Sequence, residues 1–435
     1  MKKEIFKRLI LDFQEKDLSH VVQRDIDIPL YLDKPISLVG VRRSGKTFVL
    51  FSLIRKLEEE VDKKNILYIN FEDDRLYPLV LSDLNLLMET YYELFPQKKK
   101  EKVYLFFDEV QNIQGWEIFV RRVLDTENCR IFITGSSAKL LSKEIATSMR
   151  GRSLLYEIFP LSFKEFLRFK DIDARNYSSR GLAEIKNAFN EYLARGGFPE
   201  VVNYDSDIYI RTLQEYLDLI MYKDIIDRYK ITNGPLLKTL MKFCFVNISK
   251  LVSSNKLYND FKSQGLRLSK NTIYEYLSHL EDAYGAFTIP IYSKSVSEEM
   301  RNPRKIYSVD IGFKRVMDFA SRKDIGYFYE NIVFLELRRH IKEIFYFKKK
   351  QEVDFFFEKE GKPHLINVSY NITEPATRKR EITGLLEAMN YFSIDNGLII
   401  TAELEEEITA DEKNIRIIPL WKWLLSSHLE ESEIH

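Results

Sequence analysis

Two cysteines, Cys129 and Cys244, stand far apart in a chain of 435 residues. They exclude a disulfide framework and a cysteine-based zinc site. The six histidines include no H-x-x-x-H pair, so no helical zinc motif is present either. Lysine plus arginine (66) equal aspartate plus glutamate (66), which removes any global basic field. A nucleic-acid site would have to be a local patch. No stretch approaches the roughly 18 uncharged apolar residues of a membrane span, and the first residues, Met1-Lys2-Lys3-Glu4-Ile5-Phe6-Lys7-Arg8, lack a signal-like apolar core. The expected location is the cytoplasm, with no membrane partner.

What the chain does have is length. At about 100–200 residues per domain it holds two to four domains. Residues 1 to 32 read as a leading helical segment ending at Asp27-Ile28-Pro29. Four apolar runs follow, Ile36-Ser37-Leu38-Val39, Asn65 to Phe71, Val103 to Phe107 and Arg130 to Thr134, and they alternate with helical stretches. Near-continuous apolar strands separated by helices predict a parallel sheet covered on both faces. From 159 to 240 the pattern is helical, with Gly196-Gly197-Phe198-Pro199 as its one strong breaker. Three short helices and an extended pair predict a winged helix over 241–310. A separate α/β domain is expected over 311–435.

Gly40-Val41-Arg42-Arg43-Ser44-Gly45-Lys46-Thr47 matches G-x-x-x-x-G-K-[ST], after a strand and at the start of a helix. The glycines let backbone N–H groups turn toward phosphate oxygens, and the helix N-terminus adds positive partial charge. Lys46 bridges β and γ phosphates, and Thr47 offers a hydroxyl to Mg²⁺. The nucleotide-binding run is thus Gly40, Ser44, Gly45, Lys46, Thr47 and Phe48. The second half of such a site is a strand ending in an acid. Val103 to Phe107 leads into Asp108, for the Mg²⁺ shell, and Glu109, a general base for water. Ile131-Phe132-Ile133-Thr134-Gly135-Ser136 ends a further strand in hydroxylic residues, bringing Ser136 or Thr134 toward the γ phosphate. Arg150 and Arg152 follow, suited to stabilising transferred charge in a neighbouring subunit.

Together with Phe107-Asp108-Glu109-Val110-Gln111, Trp116, Gly151-Arg152, Arg195 to Glu200, Tyr222-Lys223-Asp224-Ile225 and Lys305 to Gly312, these motifs resemble archaeal-type AAA+ ATPases over nearly the whole chain. The resemblance implies an α/β fold: a P-loop AAA+ core with a parallel sheet (1–158), a helical lid (159–240), a winged helix (241–310) and a restriction-endonuclease-like α/β domain (311–435). It implies ATP/ADP and Mg²⁺ as cofactors, Lys46, Asp108, Glu109, Ser136 and Arg152 as catalytic residues, and a homo-oligomer if Arg152 acts in trans.

Nucleases of that last type set a helix glutamate, a strand aspartate and then glutamate-x-lysine around Mg²⁺. Glu330 and Asp354 fit the first two places, but Asn367 stands for the third carboxylate and Ser369 for the lysine. The site reads as degenerate, an active nuclease then needing displaced ligands such as Glu352 or Glu358. In the winged helix, Lys256, Lys262, Arg267, Lys270 and Asn271 gather at the start of the recognition helix, where DNA would be met. Glu275, Glu281 and Asp282 on that helix weigh against it. Lys98-Lys99-Lys100 and Lys348-Lys349-Lys350 read as solvated loops. Three functions stay open: an ATPase acting on DNA or a DNA-bound partner, an ATP/ADP switch that docks a protein partner, and an ATP-gated nuclease or defence factor.

Overall fold

The computed structural model describes residues 2–135, 153–318 and 325–426. The chain divides into two compact units, Met1–Phe159 and Pro160–His435.

The first unit is built on five strands, β1 (Ile36–Val39), β2 (Ile66–Asn70), β3 (Val103–Asp108), β4 (Cys129–Gly135) and β5 (Leu154–Glu157), all parallel in the order β2-β3-β4-β1-β5. Every residue of β1 and β3 is buried, because helices cover both faces. Phe106 and Phe132 stack across β3 and β4 with ring centroids 4.5 Å apart. Helix α1 (Lys2–Glu15) buries Phe6, Ile10 and Phe13, one stripe at helical spacing, against α3 (Leu81–Leu94) and β2. Helices α2 (Lys46–Glu58) and α4 (Trp116–Thr126) complete the layers.

The leading helix ends at Glu15 rather than near residue 32. The Asp17 carboxylate accepts the Ser19 N–H and hydroxyl, both at 2.8 Å, and this local turn competes with helix continuation. Beyond it Leu18, Val21, Arg24 and Ile28 are buried along an irregular segment. Lys98 also departs from the expected solvated run. It is buried, with its ammonium 3.0 Å from both Asp62 and Glu101.

The second unit opens with helices Phe163–Phe169, Ser179–Arg195 and Ser206–Leu219, the last running on into a π-helical stretch at Ile220–Ile226 that holds the Tyr222 to Ile225 motif. Helices Gly234–Val246, Ser254–Ser263 and Lys270–Asp282 accompany an antiparallel sheet of β6 (Leu251–Val252), β7 (Ala286–Ile289) and β8 (Arg304–Ser308), ordered β6-β8-β7. Helix Ile325–His340 then leads into a six-stranded mixed sheet. Its strands are β9 (Ile344–Lys348), β10 (Glu352–Lys359), β11 (Lys362–Val368), β12 (Asn396–Thr401), β13 (Glu406–Ala410) and β14 (Lys413–Pro419), in the order β13-β14-β12-β11-β10-β9. Helix Pro375–Phe392 makes the crossover between the parallel pair β11 and β12, and its Phe392 ring stacks on Phe356 at 4.1 Å.

The glycine breaker has a tertiary cause. Gly197 N–H and Gly312 N–H donate to the buried Asp310 carboxylate at 2.6 and 2.7 Å. Gly196 ends its helix at φ 81°, where a Cβ would lie 1.9 Å from Asp310 Oδ1. A side chain cannot fit there. Burial raises the Asp310 carboxyl to about 7, against the two backbone donors that favour its charged form.

Candidate functional site

The phosphate loop runs from the end of β1 into α2. Gly40 has φ 150°, and a Cβ on it would lie 2.1 Å from the Ile158 carbonyl oxygen, so the loop can pass here only as glycine. Gly45 caps α2 in the left-handed region at φ 93°. The Lys46 ammonium is buried and donates to the Gly40 and Val41 carbonyls, both at 3.1 Å. The Ser44 hydroxyl is buried with no hydrogen-bond partner among the described residues. An orphaned buried hydroxyl on a glycine-bounded loop at a helix N-terminus fits a site built for an anion. Phe48 is exposed, its ring edge-on to Phe51 at 6.0 Å. Arg42 leaves the loop toward Glu72, 3.3 Å away.

Because β4 lies between β1 and β3, its C-terminal end stands between the phosphate loop and the acidic strand end. Asp108 is fully buried there. Its Oδ2 accepts the Thr47 hydroxyl at 2.8 Å and the Tyr68 hydroxyl at 2.9 Å, and its Oδ1 accepts the Thr134 hydroxyl. Burial raises its pKa, and the hydroxyl donors oppose that by favouring the carboxylate. Glu109 takes a left-handed backbone, φ 54°, which turns it off the strand; its N–H donates to Thr134 Oγ1 at 2.9 Å and its carboxylate accepts from the Gln111 amide. Glu72 is a further carboxylate nearby, its pKa raised by burial and then by Glu109. A hydroxyl and a carboxylate, both hard oxygen donors, thus meet beside the phosphate loop, a set that suits Mg²⁺.

The structure brings Gly40, Ser44, Gly45, Lys46, Thr47, Asp108 and Glu109 into one site. Thr134 serves the two acids directly. Ser136, Arg150 and Arg152 lie outside the described residues. Tyr68, Glu72 and Arg24 were not singled out by motif, and Gln111 stood in the Phe107–Gln111 motif without a role. The one signal for Tyr68 is a phenol placed on a buried parallel strand, two residues before the strand end that pairs Asn70 with Asp108.

In the second unit, Glu330 and Asp354 do converge, and they meet a lysine from another strand. The Lys305 ammonium of β8 lies 2.7 Å from Asp354, 2.9 Å from Glu352 and 3.0 Å from Glu330. Tyr307 donates to Glu330 at 2.8 Å, and Asp354 Oδ2 accepts the Val368 N–H at 2.8 Å. Burial works against the Lys305 charge, but Asp354 and Glu330 overcome it and hold its pKa well above the ordinary lysine value. Asn367 accepts the Asp354 N–H at 3.1 Å and donates to Glu381. Ser369 is buried, its N–H on the Ile400 carbonyl. Among the described residues no group of three or more histidine, cysteine, aspartate or glutamate side chains is arranged to hold a metal ion.

Lys256, Lys262, Arg267, Lys270 and Asn271 are all exposed. Ser269 caps the helix that Lys270 begins, accepting the Thr272 N–H at 3.1 Å. Lys262 and Lys270 both lie over Tyr258, each 5.7 Å from its ring centre. Two of the acids on that helix turn away. Glu281 is half-buried and accepts the Thr288 N–H and hydroxyl, while Asp282 accepts the Tyr229 hydroxyl. Glu275 alone stays exposed.

A parallel sheet with a phosphate loop on β1, an acid pair on β3 and a strand between them is the P-loop AAA-type ATPase fold. Comparison with known proteins agrees. Residues 32–167 match the family described as AAA domain, and residues 186–324 and 325–423 match two domains of unknown function, DUF8612 and DUF4143. The chain is 40% identical to the uncharacterized protein MJ1544 of Methanocaldococcus jannaschii, covering 98% of this chain and 96% of that one. It is 31% identical to an uncharacterized protein of Haemophilus influenzae, covering 89% and 93%. The chain therefore belongs to this family of AAA-domain proteins. Among solved structures, the Walker-type ATPase of Pyrococcus abyssi aligns with a TM-score of 0.44 at 15% identity, covering 72% of this chain and 95% of that one. Among the described residues no helix is long and apolar enough to cross a membrane.

Proposed function

We propose that the protein hydrolyses ATP with Mg²⁺ and couples turnover to action on DNA or a DNA-bound partner. The observation that carries the hydrolysis is the meeting of the Thr47 hydroxyl and the Asp108 carboxylate at 2.8 Å beside the phosphate loop, with Glu109 next in sequence. Thr47 and Asp108 are the residues that would hold Mg²⁺, which would supply positive charge to the phosphate oxygens. The loop amides and Lys46 bind and orient the triphosphate. Glu109 accepts a proton from the attacking water as its oxygen bonds to the γ phosphorus. The bond from that phosphorus to the bridging oxygen breaks, and ADP leaves with the electron pair. The Gln111 amide restrains the Glu109 carboxylate, Ser136 is assigned as γ-phosphate sensor, and Arg152 as the finger reaching a neighbouring subunit.

The basic face supports DNA as the partner. Residues 241–310 have the helix and strand order of a winged helix, and Lys262 and Lys270 each lie against the Tyr258 ring, which gathers two positive charges around one side chain. None of Lys256, Lys262, Arg267 and Lys270 is ion-paired among the described residues. Exposed cations without ion-pair partners suit a polyanion. Residues 325–401 follow the strand and helix order expected of a restriction-endonuclease-like domain, and Lys305 stands among the carboxylates where a nuclease would place its cation. This supports a domain that no longer cuts.

The test is steady-state phosphate release with no DNA, single-stranded DNA and duplex DNA at moderate salt. Lys46→Ala should abolish release, and Glu109→Gln should bind ATP without turning it over. Normal turnover in both variants overturns the ATPase reading. A slow rate indifferent to DNA overturns the DNA reading and leaves a nucleotide switch for protein docking.

A further inference from the structure

The match to the AAA domain begins at residue 32, yet the segment before it reaches both halves of the nucleotide site. Arg24 is buried, and its guanidinium donates to the Ser44 carbonyl of the phosphate loop at 2.8 Å and to the Phe159 carbonyl at 2.7 Å. A guanidinium presents its donors in a rigid fork, so it fixes two backbone groups relative to each other. Phe13 of α1 stacks on the Tyr68 ring at 4.9 Å, and Phe51 of α2 closes the other contact at 5.1 Å. That seat aims the Tyr68 hydroxyl at Asp108 Oδ2.

The segment is itself anchored. Gln14 donates to the Ile66 carbonyl at the start of β2 at 3.2 Å, Lys16 lies 4.3 Å over the Phe51 ring, and Arg55 of α2 donates to the Ser19 carbonyl at 3.3 Å. The contacts therefore run from one N-terminal segment to two different chemical functions, the loop that holds phosphate and the carboxylate that holds metal.

We infer that residues 2–31 are a working part of the nucleotide site, with Arg24 as a positioning residue for the phosphate loop and Tyr68, seated by Phe13, as a positioning residue for Asp108. The inference rests on the ATPase reading above. Asp108 has two carboxylate oxygens to keep in register. Thr134 holds one, and the Tyr68 hydroxyl shares the other with the Thr47 hydroxyl, so that oxygen keeps a donor when Thr47 turns to a metal ion. Outer donors of this kind commonly change metal affinity by about 10–100-fold. The Arg24 contact is made to the loop backbone and touches no metal ligand, so its effect falls on phosphate binding instead.

The two arms separate in a binding experiment that needs no turnover. A fluorescent ATP analogue is titrated in EDTA, and Mn²⁺ is titrated by electron paramagnetic resonance onto protein loaded with a non-hydrolysable ATP analogue. Tyr68→Phe is expected to leave binding in EDTA unchanged and to weaken Mn²⁺ by about tenfold or more. Phe13→Leu is expected to weaken Mn²⁺ in the same direction by a smaller factor. Arg24→Gln is expected to do the reverse, with weaker binding in EDTA and Mn²⁺ affinity within about twofold of wild type at saturating nucleotide. If Arg24→Gln does not fold, Arg24→Lys keeps one of the two carbonyl contacts and replaces it. Wild-type values in all three variants overturn the inference, and so does a uniform loss on both readouts, which is what scaffold damage alone produces. Wild-type protein that binds no nucleotide overturns the ATPase reading and the inference with it.

Discussion

Replacing Lys305 with methionine keeps the length of the side chain and removes its charge. In the wild type the ammonium is enclosed by Asp354, Glu352 and Glu330 at 2.7–3.0 Å and is almost inaccessible to solvent. Burial raises Glu330, against the pull of Lys305, which makes it the partner that most readily takes up a proton. Asp354 and Glu352 are the partners that depend most on the lysine charge. Lys305→Met leaves them facing each other beside an apolar chain, a loss of about 3–5 kcal/mol for an uncompensated buried pair. The assay is urea unfolding followed by fluorescence in a Trp116→Phe background, where only Trp421 and Trp423 of the second unit report. Adding Asp354→Asn to Lys305→Met should recover a large part of the loss, since asparagine keeps an oxygen for the Val368 N–H. Glu330→Gln should recover little. Carboxylates left without their counter-ion are relieved by taking up protons as pH falls. The gap to wild type should therefore widen from pH 5 to pH 8. A loss under about 1 kcal/mol, or a gap that narrows with rising pH, refutes the argument that Lys305 is the internal counter-ion.

Asp310 offers a second pH test. Its folded value of about 7 lies above the ordinary aspartate value, so its contribution is present below about pH 4 and declines as pH rises to 7, by on the order of 4 kcal/mol at most. Asp310→Asn should flatten that slope in urea midpoints measured between pH 4 and 8; an unchanged slope would mean other groups set it. Thr134→Ala removes the donor to Asp108 and the acceptor for the Glu109 N–H, and should lower kcat by about tenfold or more with little change in nucleotide affinity; equal loss in both would place Thr134 in binding. Lys262→Ala with Lys270→Ala should reduce the salt slope of duplex DNA binding by about 2, roughly one per phosphate contact. A slope unmoved by the pair removes them from the interface.

Most of the first unit could be read from the sequence because its signals are local. A phosphate loop needs glycines, a lysine and a hydroxyl in a fixed run, and a buried parallel strand is apolar from end to end. The acid pair follows directly from where β3 stops. The parts that were not legible depend on who sits beside whom. Nothing near Tyr68 in sequence shows that its hydroxyl faces Asp108, which is 40 residues away and two residues further along a neighbouring strand. Arg24 was hidden in a segment read as helix, since a surface helix and a buried irregular segment can carry the same apolar spacing. The turn at Asp17 is the only local sign that the helix stops.

The C-terminal cluster shows the same limit in sharper form. Read along the chain, Asn367 and Ser369 say that a carboxylate and a lysine are missing. Read in space, a lysine is present, but it arrives from β8, upstream of the helix that bears Glu330. Its position also differs in kind from that of a water-activating lysine. An ammonium held by three carboxylates has its donors already engaged, and it stands where positive charge from a metal ion would otherwise be needed. The same contacts tie β8 to helix Ile325–His340 and β10, and they are reinforced where Asn331 pairs with both the N–H and the carbonyl of Ser308. A strand joined to its neighbours by buried charge and paired amides cannot slide without exposing them. The hairpin of β7 and β8 should therefore move as one body with the C-terminal sheet, leaving the exposed Lys256 and Lys262 of helix Ser254–Ser263 and Lys270 of helix Lys270–Asp282 open to a partner.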